Sequence, residues 1–547
     1  MASTTVWVLG TIVVYLCYKL VPIIFEIFNS GLRNIPGPPT RNLLFGHIAE
    51  MRKGRLGEFS EKCLNEYGHV VRVKGFAYYD RLVTIDPKAL NHILVHSADY
   101  PKPDMTRRIV ANLFGEGLLV AEGEVHRRQR RLLNPAFGPV QIRELTDIFV
   151  HKSLQLRDIW MSSLPGHGGP TRINVHGGLT PATLDIIGLA GFDHDFNALN
   201  PTGKPSELSQ ALTNLMAVNT GMTVLGILEN TIFPFLSYLP TKRNRMRNQA
   251  LNDMKRISRE IVEEKKAAIL KRSKAEKTGH AILKEDFASR DLISLLIRAN
   301  MATDIPENQR LTDEEVIAQI PTFFIAGHET TSSAVSWALY ALSIDPRIQT
   351  KLRDELFSLS TDTPTMDELN SLSYLDMVLR ETLRLHAPVA GTLRQAGKDD
   401  IIPLEKPYTD VNGVVQHSIR VKAGDRINIP ILQVNTSKVI WGEDSYEFKP
   451  ERWEKIPDAA TSIPGVWGDI LTFIGGPRAC IGYRFSLVES KALLYTIVRA
   501  FEFELAVPVE DIEKKASLVT RPKVKSEPEG GFQLPLLVKS YAAQSEA

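Results

Sequence analysis

The segment Phe473-Ile474-Gly475-Gly476-Pro477-Arg478-Ala479-Cys480-Ile481-Gly482 runs straight into a helical pattern from Tyr483 to Phe501, and it constrains this chain more than any other feature. A cysteine just before a helix N-terminus sits among free N–H groups at the positive end of the helix dipole. Both favour the thiolate, which is the metal-binding form. Gly476 and Gly482 let the backbone approach closely on either side, so peptide N–H groups can point at the sulfur. Arg478, two residues earlier, can reach an anionic group on a flat cofactor. A lone thiolate with no Cys or His nearby fits no tetrahedral zinc or iron–sulfur pattern. An axial ligand to haem iron does fit.

Composition narrows the setting. The 547 residues are 43% hydrophobic and 23% charged, as in a folded globular chain, which excludes disorder and a polytopic membrane protein. Lysine plus arginine (65) nearly balances aspartate plus glutamate (63), so nucleic acid is not a main partner. Three cysteines, Cys17, Cys63 and Cys480, are too few for a disulfide framework and point to a reducing compartment. From about residue 45 onward there is no second linker or repeat. Pro135 to Leu342 reads largely at helical period. Strand patterns are short: His69–Val73 with Arg81–Ile85, Gly413–Val421, and Phe503–Val507 with Phe532–Val538. The fold class expected is mainly α with a minor β region.

The N-terminus reads as an address. Ala2 to Tyr18 carries no formal charge, Lys19 interrupts, and Leu20 to Phe25 resumes the apolar run. That reaches the roughly 20 residues of a spanning helix if Lys19 snorkels to the headgroups. Arg33, Arg41, Arg52, Lys53 and Arg55 follow it, which orients the rest of the chain to the cytoplasm. The expected division is a single-pass anchor over 1–28, a proline-rich hinge over 29–45 around Ile35-Pro36-Gly37-Pro38-Pro39, and one large domain over 46–547.

The loop around Cys480 resembles the haem-binding loop of the cytochrome P-450 family, F-x-x-G-x-R-x-C-x-G, at all five fixed positions: Phe473, Gly476, Arg478, Cys480 and Gly482. At average composition such a match arises by chance roughly once in ten thousand chains of this length. Further segments follow in family order. Glu381 and Arg384 resemble the E-x-x-R pair, one helical turn apart. Arg452 in Pro450-Glu451-Arg452-Trp453 completes the buried charge triad that the resemblance implies, a structural element with no part in the chemistry. Ala326 to Thr331 resembles the oxygen-binding stretch A/G-G-x-D/E-T-T/S. There Ala326 and Gly327 leave room beside the cofactor. Thr330 can bond back to the carbonyl of Ala326, and with Glu329 behind it would relay protons during catalysis. Glu124 to Arg131 resembles the W-x-x-x-R helix whose Trp and Arg bind the haem propionates. Arg130 matches, and His126 replaces the tryptophan. Arg394 matches a family arginine that pairs with a propionate. Arg127, Arg128 and Arg131 add a basic patch suited to an acidic reductase. The sequon Asn435-Thr436-Ser437 is incidental in a cytoplasmic body.

The resemblance implies a haem-thiolate monooxygenase: a single helical haem domain holding haem b through an axial thiolate. Its membrane anchor would lie in the endoplasmic reticulum, with the catalytic domain on the cytoplasmic side. An NADPH-dependent flavoprotein reductase would supply electrons, and one atom of O2 would enter a lipophilic small molecule, plausibly in terpenoid or other secondary-metabolite biosynthesis. Substrate contacts are expected from Tyr100–Gly117, Leu208–Leu239, Ala318–Gly327, Ala387–Leu393 and Gly530–Leu534. Two alternatives remain open: a haem-thiolate isomerase or dehydratase needing neither O2 nor reductase, and a non-enzymatic haem carrier or sensor. Retention of Glu329 and Thr330 argues against the first.

Overall fold

The computed structural model describes residues 25–165, 169–200, 239–275, 291–301, 305–516 and 518–541, with single positions elsewhere. Six helices position the site: α1 (Gly123–Leu133), α2 (Pro139–Ser162), α3 (Val175–Phe192), α4 (Gln319–Ile344), α5 (Ser373–Leu385) and α6 (Tyr483–Ala500). Val316 to Ile344 is a long, largely apolar stretch with Glu329 as its one formal charge. Most of it becomes α4, 20 of whose 26 residues are buried, so a helix covered on every side serves as the central strut. Its hydroxyls bond back to the preceding turn, as Ser336 Oγ does to Ser332 O at 2.6 Å. Asp345-Pro346 ends it, and the Asp345 side chain caps the next helix. α4 packs between α3 and α6, and α6 in turn lies on α2.

The strands are β1 (Val70–Lys74), β2 (Asp80–Thr84), β3 (Thr171–Asn174), β4 (Thr392–Gln395), β5 (Asp400–Thr409), β6 (Val415–Val421), β7 (Arg426–Ile429), β8 (Phe501–Leu505), β9 (Ile512–Ala516), β10 (Thr520–Val524) and β11 (Pro535–Ser540). β1-β2-β7-β4 form one sheet, β3-β11-β8 another, and β5-β6 and β9-β10 are separate pairs. β1 with β2 and β8 with β11 are pairs legible in the sequence pattern. β4 and β7 are not, because four residues carrying Arg394 or Arg426 show no usable alternation.

The proline-rich stretch is no free spacer. Leu32 and Ile35 are fully buried, Arg72 N donates to Pro36 O at 2.9 Å, and Val411 N donates to Asn34 O at 3.0 Å. A Cβ on Gly37 would lie 1.9 Å from Arg72 O, so glycine is required where this segment crosses β1. The globular body therefore begins ahead of residue 46. Most of the expected anchor lies outside the described residues, and no helix among the described residues is long and apolar enough to cross a membrane.

Candidate active site

Cys480 is held by a closed loop. Its N–H donates to Phe473 O at 2.9 Å, while the Phe473 ring stands edge-on to Trp467, 5.9 Å between centroids. Gly476 adopts φ +69°, and a Cβ there would lie 2.4 Å from Leu94 O, so only glycine fits. Gly482 differs: its φ is −91° and a Cβ would meet only Phe137 at 3.7 Å, so no protein contact demands glycine there. Phe137 in turn packs edge-on against Phe323 of α4 at 5.5 Å, which ties the loop to the central helix.

The Cys480 side chain is accessible although protein surrounds it on every side, so it opens into an internal space. Burial raises its thiol above the ordinary value, against the pull of the Gly482 N–H and the Arg130 charge. The sequence reading expected the helix terminus to lower it. Desolvation outweighs the dipole here, and a bound metal cation deprotonates a coordinating thiol outright. On α4, Ala326 is exposed in the middle of a mostly buried helix. Thr330 Oγ1 donates to Ala326 O at 2.7 Å. Gly327 does not open onto that space: its missing Cβ makes room for Ile187 of α3, whose Cγ1 would lie 2.8 Å away.

Glu329 points away from the opening. Its carboxylate meets Arg521 Nη2 of β10 at 2.5 Å and His328 Nε2 at 3.5 Å. Burial pushes the carboxyl up, yet His328, Arg521 and His176 outweigh it and hold the group at about 2. At neutral pH Glu329 is therefore a fixed anion with no proton to supply and little tendency to take one up. This modifies the relay expected from sequence.

A cationic wall closes one side. Arg130 Nη1 donates to Ala479 O at 2.5 Å, Arg478 Nη1 to Ala121 O at 2.5 Å, and Arg394 Nη1 to Leu393 O at 2.8 Å. Arg478 also pairs with Glu122, which Lys102 Nζ meets at 3.2 Å. Burial and the neighbouring charge of Arg478 lower Lys102 to about 8 and Arg394 to about 10. Burial, then Arg478, Lys102 and Arg130, depress His126 to about 3, leaving a neutral imidazole that offers one N–H. Lys102 and Glu122 escaped the sequence reading. The available signal was Pro101-Lys102-Pro103, which fixes the lysine on a rigid non-helical turn. Arg127 and Arg128 of the basic patch pair internally, with Glu124 at 2.7 Å and with Glu315 respectively.

Behind the loop, Glu381 accepts from Arg384 Nε and Nη2 at 2.9 and 2.8 Å, and from Arg452 Nε at 3.3 Å. Arg384 Nη1 reaches Asn435 O at 2.9 Å. The Asn435 amide is fully buried and binds Leu471 N and Thr472 Oγ1, both at 2.8 Å, so the sequon is closed to modification in the fold. The network thereby runs from the triad to the residue next to Phe473. Tyr100, expected near substrate, is buried with its hydroxyl on Asp400 at 2.7 Å. Most of Leu208–Leu239 lies outside the described residues.

These residues fit haem on three counts. Of four cations, Arg394, Arg478 and Lys102 have Glu122 as the one carboxylate acting on them among the described residues and Arg130 has none, an excess of positive charge that two propionates would largely offset. No described group of three or more His, Cys, Asp or Glu residues could hold a metal ion, so a metal at Cys480 needs its other ligands from a macrocycle. Ala326 on α4 and Cys480 ahead of α6 are both small, exposed positions amid mostly buried neighbours.

A loop thiolate under a central helix with a cationic rim defines a haem-thiolate protein. The cytochrome P450 family model matches residues 36–526, and the chain belongs to that family. It is 52% identical over 524 residues to cytochrome P450 monooxygenase 205 of Postia placenta, covering 96% of each chain. It is 50% identical over 538 residues to monooxygenase 128 of the same fungus, covering 98% of each. Cytochrome P450 monooxygenase claO of Ampulloclitocybe clavipes is 38% identical across 92% of each chain. The protein is an oxidoreductase of the monooxygenase type that uses haem b with a cysteine thiolate ligand.

Proposed function

We propose that this enzyme inserts one oxygen atom from O2 into a lipophilic small molecule, with electrons from NADPH delivered by a flavoprotein reductase. Cys480 would hold haem b, with Arg130, Arg394, Arg478 and His126 available to its propionates, and the group would supply the redox chemistry that activates O2. The observation that carries the reading is the Thr330 bond to Ala326 O beside the one exposed position in the middle of α4. The hydroxyl shares a carbonyl that also serves the helix, so it can hold a proton at Oγ1 next to the open space. Glu329, fixed as an anion by Arg521, orients that turn electrostatically. The apolar Ala326 surface and the exposed Val389 favour a lipophilic substrate. A role in secondary metabolism belongs to this reading, and the apolar N-terminal run supports a single-pass anchor in the endoplasmic reticulum.

The test combines three readings. A reduced, CO-bound spectrum with its Soret band well to the red reports the thiolate. A panel of lipophilic compounds screened for a haem spin-state shift finds the substrate class. Thr330→Ala should then cut product formed per NADPH by about tenfold or more. Unchanged coupling in that variant would sink the proposed mechanism and favour an isomerase or dehydratase.

A further inference from the structure

The four-stranded sheet carries arginines on both faces, and one side-by-side pair has a single carboxylate, Glu26, acting on it among the described residues. Side chains alternate along a strand, and registered partners share a face. Arg81 of β2 is the direct partner of Arg426 of β7, which pairs on with Gln395 of β4. Arg394, which faces the cofactor side, lies in the next row with Ile427 and so on the opposite face. The Arg81 guanidinium makes no hydrogen bond and faces no carboxylate among the described residues; its Nε is buried, and its one charged neighbour is Arg426. Burial, then Arg426, lowers Arg81 to about 10, which leaves it charged at neutral pH.

Arg426 is better placed, yet incompletely. Its guanidinium carbon lies 3.8 Å over the Tyr79 ring, Tyr79 and then Glu26 act on it favourably, and its Nε is a buried orphan as well. Two cations against Glu26 leave one uncompensated positive charge. Gly75 adds room: a Cβ there would lie 3.2 Å from Arg81 Nη2. Val71, Val73 and Val83, all buried, share the face. Like charges side by side in an apolar setting are unfavourable unless an anion completes them. Guanidinium forks match the two oxygens of a carboxylate or a phosphodiester.

We propose that Arg81 and Arg426 form a binding site for a singly charged oxyanion, on the sheet face away from the haem-thiolate centre. The chemistry is shared by a free fatty carboxylate and a lipid phosphodiester. The site does not depend on the monooxygenase reading, because the haem spin state reports the catalytic space separately. The experiment uses the full-length holoenzyme at constant ionic strength. Dodecanoate and dodecanol are titrated calorimetrically, and vesicles of phosphatidylglycerol or phosphatidylcholine are tested by co-sedimentation.

Dodecanoate or phosphatidylglycerol should bind wild type roughly tenfold or more tightly than Arg81→Gln. The uncharged counterparts should not distinguish the two proteins. Dependence on dodecanoate identifies a soluble acid as the source, and dependence on phosphatidylglycerol a lipid. In oxyanion-free buffer Arg81→Gln should melt above wild type, and saturating anion should reverse that order. Arg426→Gln, tested in parallel, should behave alike and decides the matter if Arg81→Gln fails to load haem. Lys88→Gln, which removes an exposed charge elsewhere, should bind as wild type does. Equal binding by wild type and both arginine variants, or dodecanol binding as dodecanoate does, overturns the proposal.

Discussion

Two buried carboxylates, Glu381 on α5 and Glu329 on α4, show how one fold uses the same group in opposite ways. Glu381 is inaccessible and saturated: Arg384 holds it bidentately, Arg452 adds a third bond, and Lys449 N donates at 3.0 Å. The arginines are themselves completed, Arg384 by the carbonyls of Asn435 and Ser445 and Arg452 by Asp444 Oδ1 at 2.7 Å. Glu329 has Arg521 and a longer contact to His328, and Arg521 Nε stays unpartnered. A saturated carboxylate is a rivet. A less saturated one, next in sequence to Thr330, is a charge whose partners can be altered without unfolding the body. Glu489 of α6 marks the limit: fully buried, with no cation beside it and only the Thr331 hydroxyl acting against burial, it is raised well above the ordinary carboxyl range.

The contrast is open to mutation. Arg384→Ala should have the largest effect, because it strands a buried charge at a cost of about 3–5 kcal/mol. Little soluble haem-loaded protein is expected, and a wild-type haem-to-protein ratio would break the scaffold role. Glu329→Gln should come next, and its effect should depend on pH. The folded carboxyl is held near 2 against an ordinary 4.5, so its stabilisation is complete above about pH 4.5 and fades as pH falls toward 2. Urea unfolding should therefore show a gap of about 2–3 kcal/mol between wild type and variant at pH 7. That gap should close in acid, and a pH-independent gap would show that Arg521 does not hold the anion. Glu489→Gln should be smallest and opposite in sign. Above its ordinary pKa the unfolded carboxyl ionises while the folded one does not, so wild type loses stability as pH rises. The variant should gain stability at pH 7 and none at pH 4, read from the same unfolding curves.

How much was legible follows from how local each feature is. The Cys480 loop, the Glu381–Arg384 pair and the Thr330-to-Ala326 bond each span ten residues or fewer, and fixed spacing on a helix or turn implies the contact. Lys102, Glu122 and Arg521 reach the site from strands and loops hundreds of residues from Cys480 or Glu329, where no spacing rule applies. The proline stretch misled for a related reason. Proline excludes a helix, but it does not say whether the extended chain floats or lies on β1.

The sequence alone determined the family, the iron ligand and the mainly helical class, because a glycine-bracketed cysteine ahead of a helix and an unbroken apolar helix are local instructions. The tertiary structure decided the charge states. It showed a thiol raised by burial, a Glu329 held as an anion by a strand nearly two hundred residues away, and two arginines set side by side with one charge too many. Electrostatics inside a protein depends on distance through space and on exclusion of water, and the chain order specifies neither.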